Sequence, residues 1–186
     1  MAEGTVIEKI DFNQERLDNE YYNCVFESCD FSDKSVTDVS FEDCVFKRCN
    51  FALAKFFCYF SSAEFVECKM TGADFTGISK FSSSFCFEKS QMNYVSFYKL
   101  KIRKSRFAGC NLNEAYFDET DLASSIFDDC DLMRTSFHGT NLEKVDFFTS
   151  HHFSIDPTAN RLKKTVFSAS ELRGLVSHLD IVIKDV

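Results

Sequence analysis

Nine cysteines and four histidines are the residues of this chain whose chemistry could bind a metal ion or form a redox pair. In the segment FEDCVFKRCNF, residues 41–51, Cys44 and Cys49 lie five residues apart. Cysteines at such short spacing could be metal ligands, a redox pair or packing residues. The pattern that surrounds them decides among these alternatives.

A five-residue hydrophobic register runs through most of the chain. Steps of five from Phe87 to Phe147 meet thirteen large apolar residues in succession. In a chain that is 45% apolar, chance would produce this at odds on the order of a few in 10⁵. The same step runs from Phe26 to Phe56 and, after a slip of one residue, from Phe60 to Phe75. A period of five fits neither a helix nor a strand, so the chain must turn after every repeat.

The position two residues before each large residue is usually small. It holds Cys, Ala, Ser or Thr in most repeats, and eight of the nine cysteines fall there. These are Cys24, Cys29, Cys44, Cys49, Cys58, Cys68, Cys110 and Cys130. A metal site needs cysteine itself, whereas these positions accept any small residue. We therefore interpret the cysteines as packing residues, and we expect no metal site and no cofactor.

Several five-residue runs share one pattern, which is a small residue, Asp or Asn, Leu or Phe, and two variable positions. They include CDFSD, CNFAL, ADFTG, CNLNE, TDLAS, CDLMR and TNLEK. This pattern resembles the pentapeptide repeat and covers residues 21–147. The resemblance implies an all-β fold, a right-handed quadrilateral β-helix. Four repeats would then make one coil of about 20 residues, and coils would stack about 4.8 Å apart.

We expect two parts in the chain. Residues 1–150 would form the β-helix, and residues 151–186 a C-terminal capping or dimerisation segment. Breaks in the five-residue frame predict irregular coils near residues 32–39 and 76–86.

The C-terminal segment carries apolar residues with helical spacing. Ser168 to Glu171 has the spacing of a capping box, which predicts a short helix, and residues 181–183 are predicted as a brief strand. The helix could plug its own coil or join two chains. The segment resembles the ends of the Qnr quinolone-resistance proteins and of the immunity proteins of albicidin and microcin B17 producers, which implies an end-to-end homodimer. The implied contact residues are Leu172, Leu175, Val176, Leu179, Ile181 and Ile183.

The formal net charge of −8 argues against general binding to nucleic acid or to an anionic membrane surface. The longest wholly apolar run, Phe56 to Phe60, is too short to cross a bilayer. The first twenty residues contain acids and lack the apolar stretch of a signal peptide. We therefore expect a cytoplasmic protein.

An acidic band lies between Phe107 and Met133, where no Lys or Arg occurs. It comprises Glu114, Asp118, Glu119, Asp121, Asp128, Asp129 and Asp131. A charge run is most often a solvated face, and Asp121 and Asp131 are also expected to bond the turn backbone. The alternative is that a stiff acidic rod occupies a protein groove built for DNA. Resemblance to the topoisomerase-protecting group implies such a DNA mimic, which binds gyrase or topoisomerase IV and confers antibiotic resistance or immunity. A scaffold or interaction module of unknown partner is the competing hypothesis.

The histidines do not indicate catalysis. No nucleophile motif, phosphate-binding loop or metal-ligand spacing accompanies them in the sequence. They are His138, His151, His152 and His178. We expect that the protein is not an enzyme.

Overall fold

Each five-residue repeat turns the chain through a corner, because one residue per repeat takes a left-handed backbone conformation. That residue follows the large inward residue by two positions, as at Arg48 (φ 52°), Lys104 (φ 57°) and Asp129 (φ 52°). The conformation costs an L-residue roughly 1–2 kcal/mol. The amides of Arg48 and Lys104 donate to carbonyl oxygens of the next coil at 2.9 and 3.1 Å, which offsets this cost.

The computed structural model describes residues 1–79 and 84–184. Its strands are β1 (Ala2–Glu3), β2 (Val6–Glu8), β3 (Glu20–Tyr22), β4 (Val25–Glu27), β5 (Ser35–Glu42), β6 (Val45–Lys47), β7 (Lys55–Ser61), β8 (Ala63–Val66), β9 (Phe85–Glu88), β10 (Arg106–Ala108) and β11 (Ile126–Asp128). A 3-10 helix, Ala169–Leu175, follows them.

The strands stack as parallel sheets along the axis of a four-sided coil. The two sheets have the orders β1-β3-β5-β7 and β2-β4-β6-β8-β9-β10-β11. Isolated parallel bridges continue the stack: the series that includes Tyr116 with Ser136 starts from Lys55 of β7, and the series that includes Asp131 with His151 lies on another side. Partners in β10 and β11 are 20 residues apart, since Arg106 pairs with Ile126. The predicted fold class, a right-handed quadrilateral β-helix, is confirmed.

The coil length changes at two places. The pairing of β5 with β7 shifts register between Thr37 and Ser40, because β5 carries an extra residue there. Ala63 of β8 pairs with Phe85 of β9, a separation of 22 residues instead of 20. Within the break predicted at residues 76–86, residues 80–83 lie outside the described residues.

Phenylalanine rings fill the inside of the coil in continuous columns. Phe87, Phe107 and Phe127 stack with ring centroids 5.1 and 4.6 Å apart. Phe117, in a second column, meets Phe107 edge-on at 5.7 Å and 88°. All four rings are buried. Such aromatic pairs add about 0.5–1.5 kcal/mol each to the gain from burial, so the columns hold successive coils together.

The small inward positions also supply hydrogen-bond donors. The Cys44 and Cys49 thiols lie 3.5 and 3.4 Å from carbonyl oxygens of the preceding coil. At an equivalent position, Thr120 Oγ1 donates to the Phe97 carbonyl at 2.7 Å. Cys, Ser and Thr therefore share both small size and a donor. All nine cysteines are free thiols, and the eight assigned to packing are buried.

We expect that replacing Cys44 and Cys49 together with alanine leaves the protein folded, with its free energy of unfolding lowered by about 1–3 kcal/mol in all. Burial raises the pKa of the Cys44 thiol to about 11, so little thiolate is available as a ligand at neutral pH. Urea unfolding and metal analysis of both proteins check this. Metal that is bound by the parent and lost from the double variant would contradict the packing role.

The parallel stacking continues past residue 150, since Asn141 bridges Arg161 and Asp146 bridges Val166. The boundary at residue 150 stays a prediction. Beyond the last bridges, Ser168 caps the helix and accepts a hydrogen bond from the Ser170 amide at 3.3 Å, as the capping spacing predicts.

The C-terminal segment differs from its prediction in two respects. The helix is of the 3-10 type and ends at Leu175, so Leu179 lies beyond it. Gly174 packs against Phe153 so closely that a Cβ atom would lie 2.3 Å from the Phe153 carbonyl oxygen. Residues 181–183 form no strand in the described chain, because no neighbouring segment of the chain pairs with them. Among the described residues, no helix has the length and hydrophobicity needed to cross a membrane.

Candidate interaction surfaces

The acidic band wraps around the rod instead of lining one side. Its members are spread over nearly one 20-residue coil, so they are distributed among several sides of the rod. The backbone of Asp121 bridges that of Lys101 on one side of the coil. The backbone of Asp131 bridges that of Asn111 on a different side. Asp128 is the last residue of β11. The band is therefore a ring of carboxylates around one level of the stack.

Most of the band is paired with basic groups of neighbouring coils. Arg103 Nε donates to Asp121 Oδ2 at 2.6 Å, and Arg106 Nη2 donates to Asp128 Oδ2 at 2.8 Å. Further contacts join Lys99 to Glu119 (3.5 Å), Arg134 to Glu114 (3.8 Å) and His152 to Asp131 (2.9 Å). Lys99, Arg103 and Arg106 belong to the coil that precedes the band, whereas Arg134 and His152 lie about 20 residues after their partners and belong to the coil that follows. Such exposed ion pairs stabilise a protein weakly, yet they balance much of the band's charge.

Such contacts lower the pKa of three of these carboxyls, Asp121, Asp128 and Asp131. At Asp128, the Thr149 hydroxyl and then the Arg106 guanidinium lower the pKa. At Asp121, burial raises the pKa, but hydrogen bonds from Arg103 and the Ala123 amide outweigh burial, and the net pKa is lowered. The bond from the Ala123 amide is 3.2 Å long and is the turn contact expected at this motif position.

The same turn contact occurs at the second motif position. The Met133 amide donates to Asp131 Oδ1 at 3.2 Å. Burial raises the pKa of Asp131, but the His152 side chain and this amide outweigh it, so the net pKa is lowered.

Asp118 and Asp129 are the band members that form no ion pair within residues 1–79 and 84–184. Asp118 Oδ1 accepts hydrogen bonds from Ser136 Oγ at 2.5 Å and from the His138 amide at 2.7 Å. Asp129 is exposed at a corner of the coil. These two carboxylates present the least compensated charge of the band.

Sequence reasoning missed a basic side of the rod. This side contains the bridges that run from Lys101 through Asp121 and Asn141 to Arg161. Its exposed bases are Lys101, Arg103, Lys104, Lys144, Arg161, Lys163 and Lys164. They are spread over 64 residues of sequence and come together because equivalent positions recur once per coil. The excess negative charge of the protein therefore lies on the other sides.

The structure separates the six predicted dimer residues into two groups. Leu172, Leu179, Ile181 and Ile183 are exposed by 47%, 48%, 54% and 46%. Leu175 packs against the core of the coil, and Val176, the residue after the helix, is half-buried. The exposed group therefore leaves several apolar side chains accessible in the C-terminal segment.

The histidines lie in three places. His138 is exposed beside the band, and His178 Nε2 lies 3.5 Å from Asp156 Oδ1 in the C-terminal segment. His151 and His152 are adjacent where the regular repeats end, beside Asp131.

Comparisons with known proteins agree with this architecture. The family model for pentapeptide repeats (8 copies) matches residues 37–77, and the model for the pentapeptide repeat region matches residues 79–156. No curated protein matches the chain.

Among solved structures, the chain is similar to two trypsin-treated variants of QnrB1, a plasmid-mediated fluoroquinolone resistance protein. One is 20% identical, with 100% of both chains covered and a TM-score of 0.57. The other is 20% identical, with 98% of this chain and 97% of that chain covered and a TM-score of 0.55. HetL, a pentapeptide repeat protein from the cyanobacterium Nostoc, is 11% identical, with 94% and 90% covered and a TM-score of 0.41. At these identities the likeness concerns the fold. The two family models, which between them match residues 37–77 and 79–156, show that the chain belongs to the pentapeptide-repeat family.

Proposed function

We propose that the protein binds a type II topoisomerase, DNA gyrase or topoisomerase IV, and protects it from an antibiotic or toxin. The observation that carries this proposal is the likeness to QnrB1, a fluoroquinolone resistance protein, over 100% of both chains. The C-terminal sequence adds support, because it resembles the ends of the topoisomerase-protecting group.

In this proposal the rod competes with DNA for a basic groove. The bridged coils from Val6 to Val166 make a stack about 40 Å long at the usual strand spacing. DNA of that length carries about 24 negative charges, whereas the whole protein has a net charge of −8. Mimicry would therefore depend on shape and on a few well-placed carboxylates more than on charge density. The basic side of the rod would face away from the groove.

The two unpaired carboxylates of the band, Asp118 and Asp129, are the groups best suited to meet basic residues of a partner. Both lie outside the ion pairs that hold neighbouring coils. We propose that the protein acts through this binding surface and not through catalysis.

Replacing Asp118 and Asp129 with asparagine is expected to weaken protection of gyrase and to reduce its dependence on salt. Asparagine keeps the oxygen that accepts the Ser136 and His138 hydrogen bonds, and it tolerates the left-handed conformation of residue 129. Exposed charge interactions are screened within about 10 Å at 0.1 M ionic strength, so the parent should lose binding as salt rises. The yield of drug-stabilised cleavage complexes measures the effect.

The matched control is the double change Asp33→Asn and Asp43→Asn. These two acids are also exposed, lie at left-handed corners and belong to other coils (φ 57° and 51°). The control removes the same charge and should protect gyrase as the parent does. Equal protection by all three folded proteins would show that the band is only a solvated surface.

A scaffold or protein-interaction role is the second candidate function. The observation that favours it is the pairing of band carboxylates with Arg103, Arg106 and Lys99, because a carboxylate already paired within the chain offers less charge to a topoisomerase. A folded parent protein that binds neither topoisomerase at low salt would leave this role as the better account.

A further inference from the structure

Three potential metal ligands meet where the regular repeats end. The backbone of Asp131 bridges that of His151 in the next coil. His152 follows at the position where earlier repeats carry a buried Leu or Phe. Its backbone is left-handed (φ 61°), its side chain is exposed, and Phe153 is buried in its place. This departure from the repeat directs both imidazoles to the same side as the Asp131 carboxylate.

The distances suit a shared ion. One ligand atom from each of Asp131, His151 and His152 lies within 4.8 Å of the other two. His152 Nδ1 is already 2.9 Å from Asp131 Oδ1, and the two imidazole rings are 4.6 Å apart at 83°. Ligand atoms around tetrahedral zinc lie about 3.4 Å apart, since the bonds are about 2.0–2.1 Å long. Rotation of the exposed His152 side chain and a small shift of His151 would bring the three ligand atoms from within 4.8 Å of one another to the separation of about 3.4 Å that zinc requires.

A fourth candidate ligand, Glu171, lies beside this cluster, and its carboxylate is outside the set of atoms that lie within 4.8 Å of one another. Glu171, in the first turn of the 3-10 helix, accepts a hydrogen bond from the His152 amide through Oε2 at 3.3 Å. Its carboxylate therefore sits against the same segment and belongs to a different part of the chain. An ion held by all four residues would connect the last regular coils with the C-terminal helix.

We propose that Asp131, His151 and His152 form a binding site for a divalent transition-metal ion of the zinc class, with Glu171 as its fourth ligand. Two imidazoles and carboxylates are a ligand set that zinc, nickel and cobalt accept. The site acts as a clip that fixes the C-terminal segment to the end of the rod. It does not depend on the proposed binding to a topoisomerase.

The test is titration of the full chain, free of any histidine tag, with zinc chloride in a calorimeter, followed by thermal unfolding with and without zinc. We expect about one ion per chain and a higher midpoint of unfolding with zinc, because ligands that bind only the folded state stabilise it. The double change His151→Ala and His152→Ala should abolish binding. The change Asp131→Asn should weaken it at least about tenfold while its side-chain oxygen still accepts the Met133 amide.

The control removes the other two histidines, His138→Ala and His178→Ala, and should bind zinc as the parent does. Circular dichroism verifies that each variant is folded. If the double histidine variant does not fold, Asp131→Asn carries the test alone. Absence of zinc binding by the parent would overturn the proposal. Equal zinc affinity of the parent and Asp131→Asn would also overturn it. So would equal zinc affinity of the His151/His152 variant and the His138/His178 variant.

Discussion

Replacing Phe107 with aspartate is expected to unfold the coils around it and to leave little folded protein at room temperature. The Phe107 ring is fully buried between Phe87 and Phe127 and meets Phe117 edge-on. Removing such a ring costs about 3–5 kcal/mol, and a buried unpaired carboxylate adds to this. Small proteins have only about 5–15 kcal/mol of stability in total. Each coil is stabilised by its neighbours, so the damage should spread along the stack.

Two control substitutions distinguish the effect of disrupting the buried phenylalanine column from a general sensitivity of the protein to substitution. Phe148→Asp changes a ring that is 60% exposed and should leave the midpoint of urea unfolding almost unchanged. Phe107→Leu uses a residue that equivalent positions already hold and should cost about 1–2 kcal/mol. Far-ultraviolet circular dichroism during urea titration measures all three variants. A midpoint of urea unfolding for Phe107→Asp equal to that of the parent would show that the phenylalanine column does not hold the coils together.

The second large effect is expected in the oligomeric state. We expect a homodimer joined at the C-terminal end, and changing Leu172 and Leu179 to aspartate should then give monomers with the β-helix intact. Both side chains are about half exposed at the C-terminal end, by 47% and 48%. Residues 181–183 nearby have no pairing partner within the described chain. An apolar surface of this kind is typical of a protein contact. Leu175 is unsuitable for the test, because it packs against the core and its change would disturb the fold.

Sedimentation equilibrium at tens of micromolar distinguishes the two states. The matched control, Leu53→Asp with Met133→Asp, changes two exposed apolar side chains on the sides of the rod and should remain dimeric. If the parent is monomeric under these conditions, the C-terminal contact does not exist and the helix is only a plug.

The repeat could be predicted from sequence because its physical cause is local. One large and one small inward residue in every five specify the Phe107 column and the burial of Cys44 and Cys49. The end of the repeat was harder to predict. His152 lies at a position that is normally inward, but its backbone turns the side chain outward, and the close packing of Gly174 on Phe153 shapes the helix that follows.

The charged surface could not be predicted from linear runs. Asp118, Asp121 and Asp128 look like one acidic face in sequence, yet a coil of about 20 residues distributes them around the rod. Whether a carboxylate is paired depends on which residue lies at the nearest position of the neighbouring coil. The contact of Arg103 with Asp121 crosses 18 residues, and that of Arg106 with Asp128 crosses 22. Such contacts can be assigned only when the register of each coil is known.

Titration of DNA gyrase and of topoisomerase IV with the purified parent protein shows whether the protein binds a type II topoisomerase. The titration is made at several salt concentrations, with and without competing DNA. We expect saturable binding that competing DNA displaces and that weakens as salt rises. Binding should also lower the yield of drug-stabilised cleavage complexes. A folded protein that binds neither enzyme at low salt would contradict it.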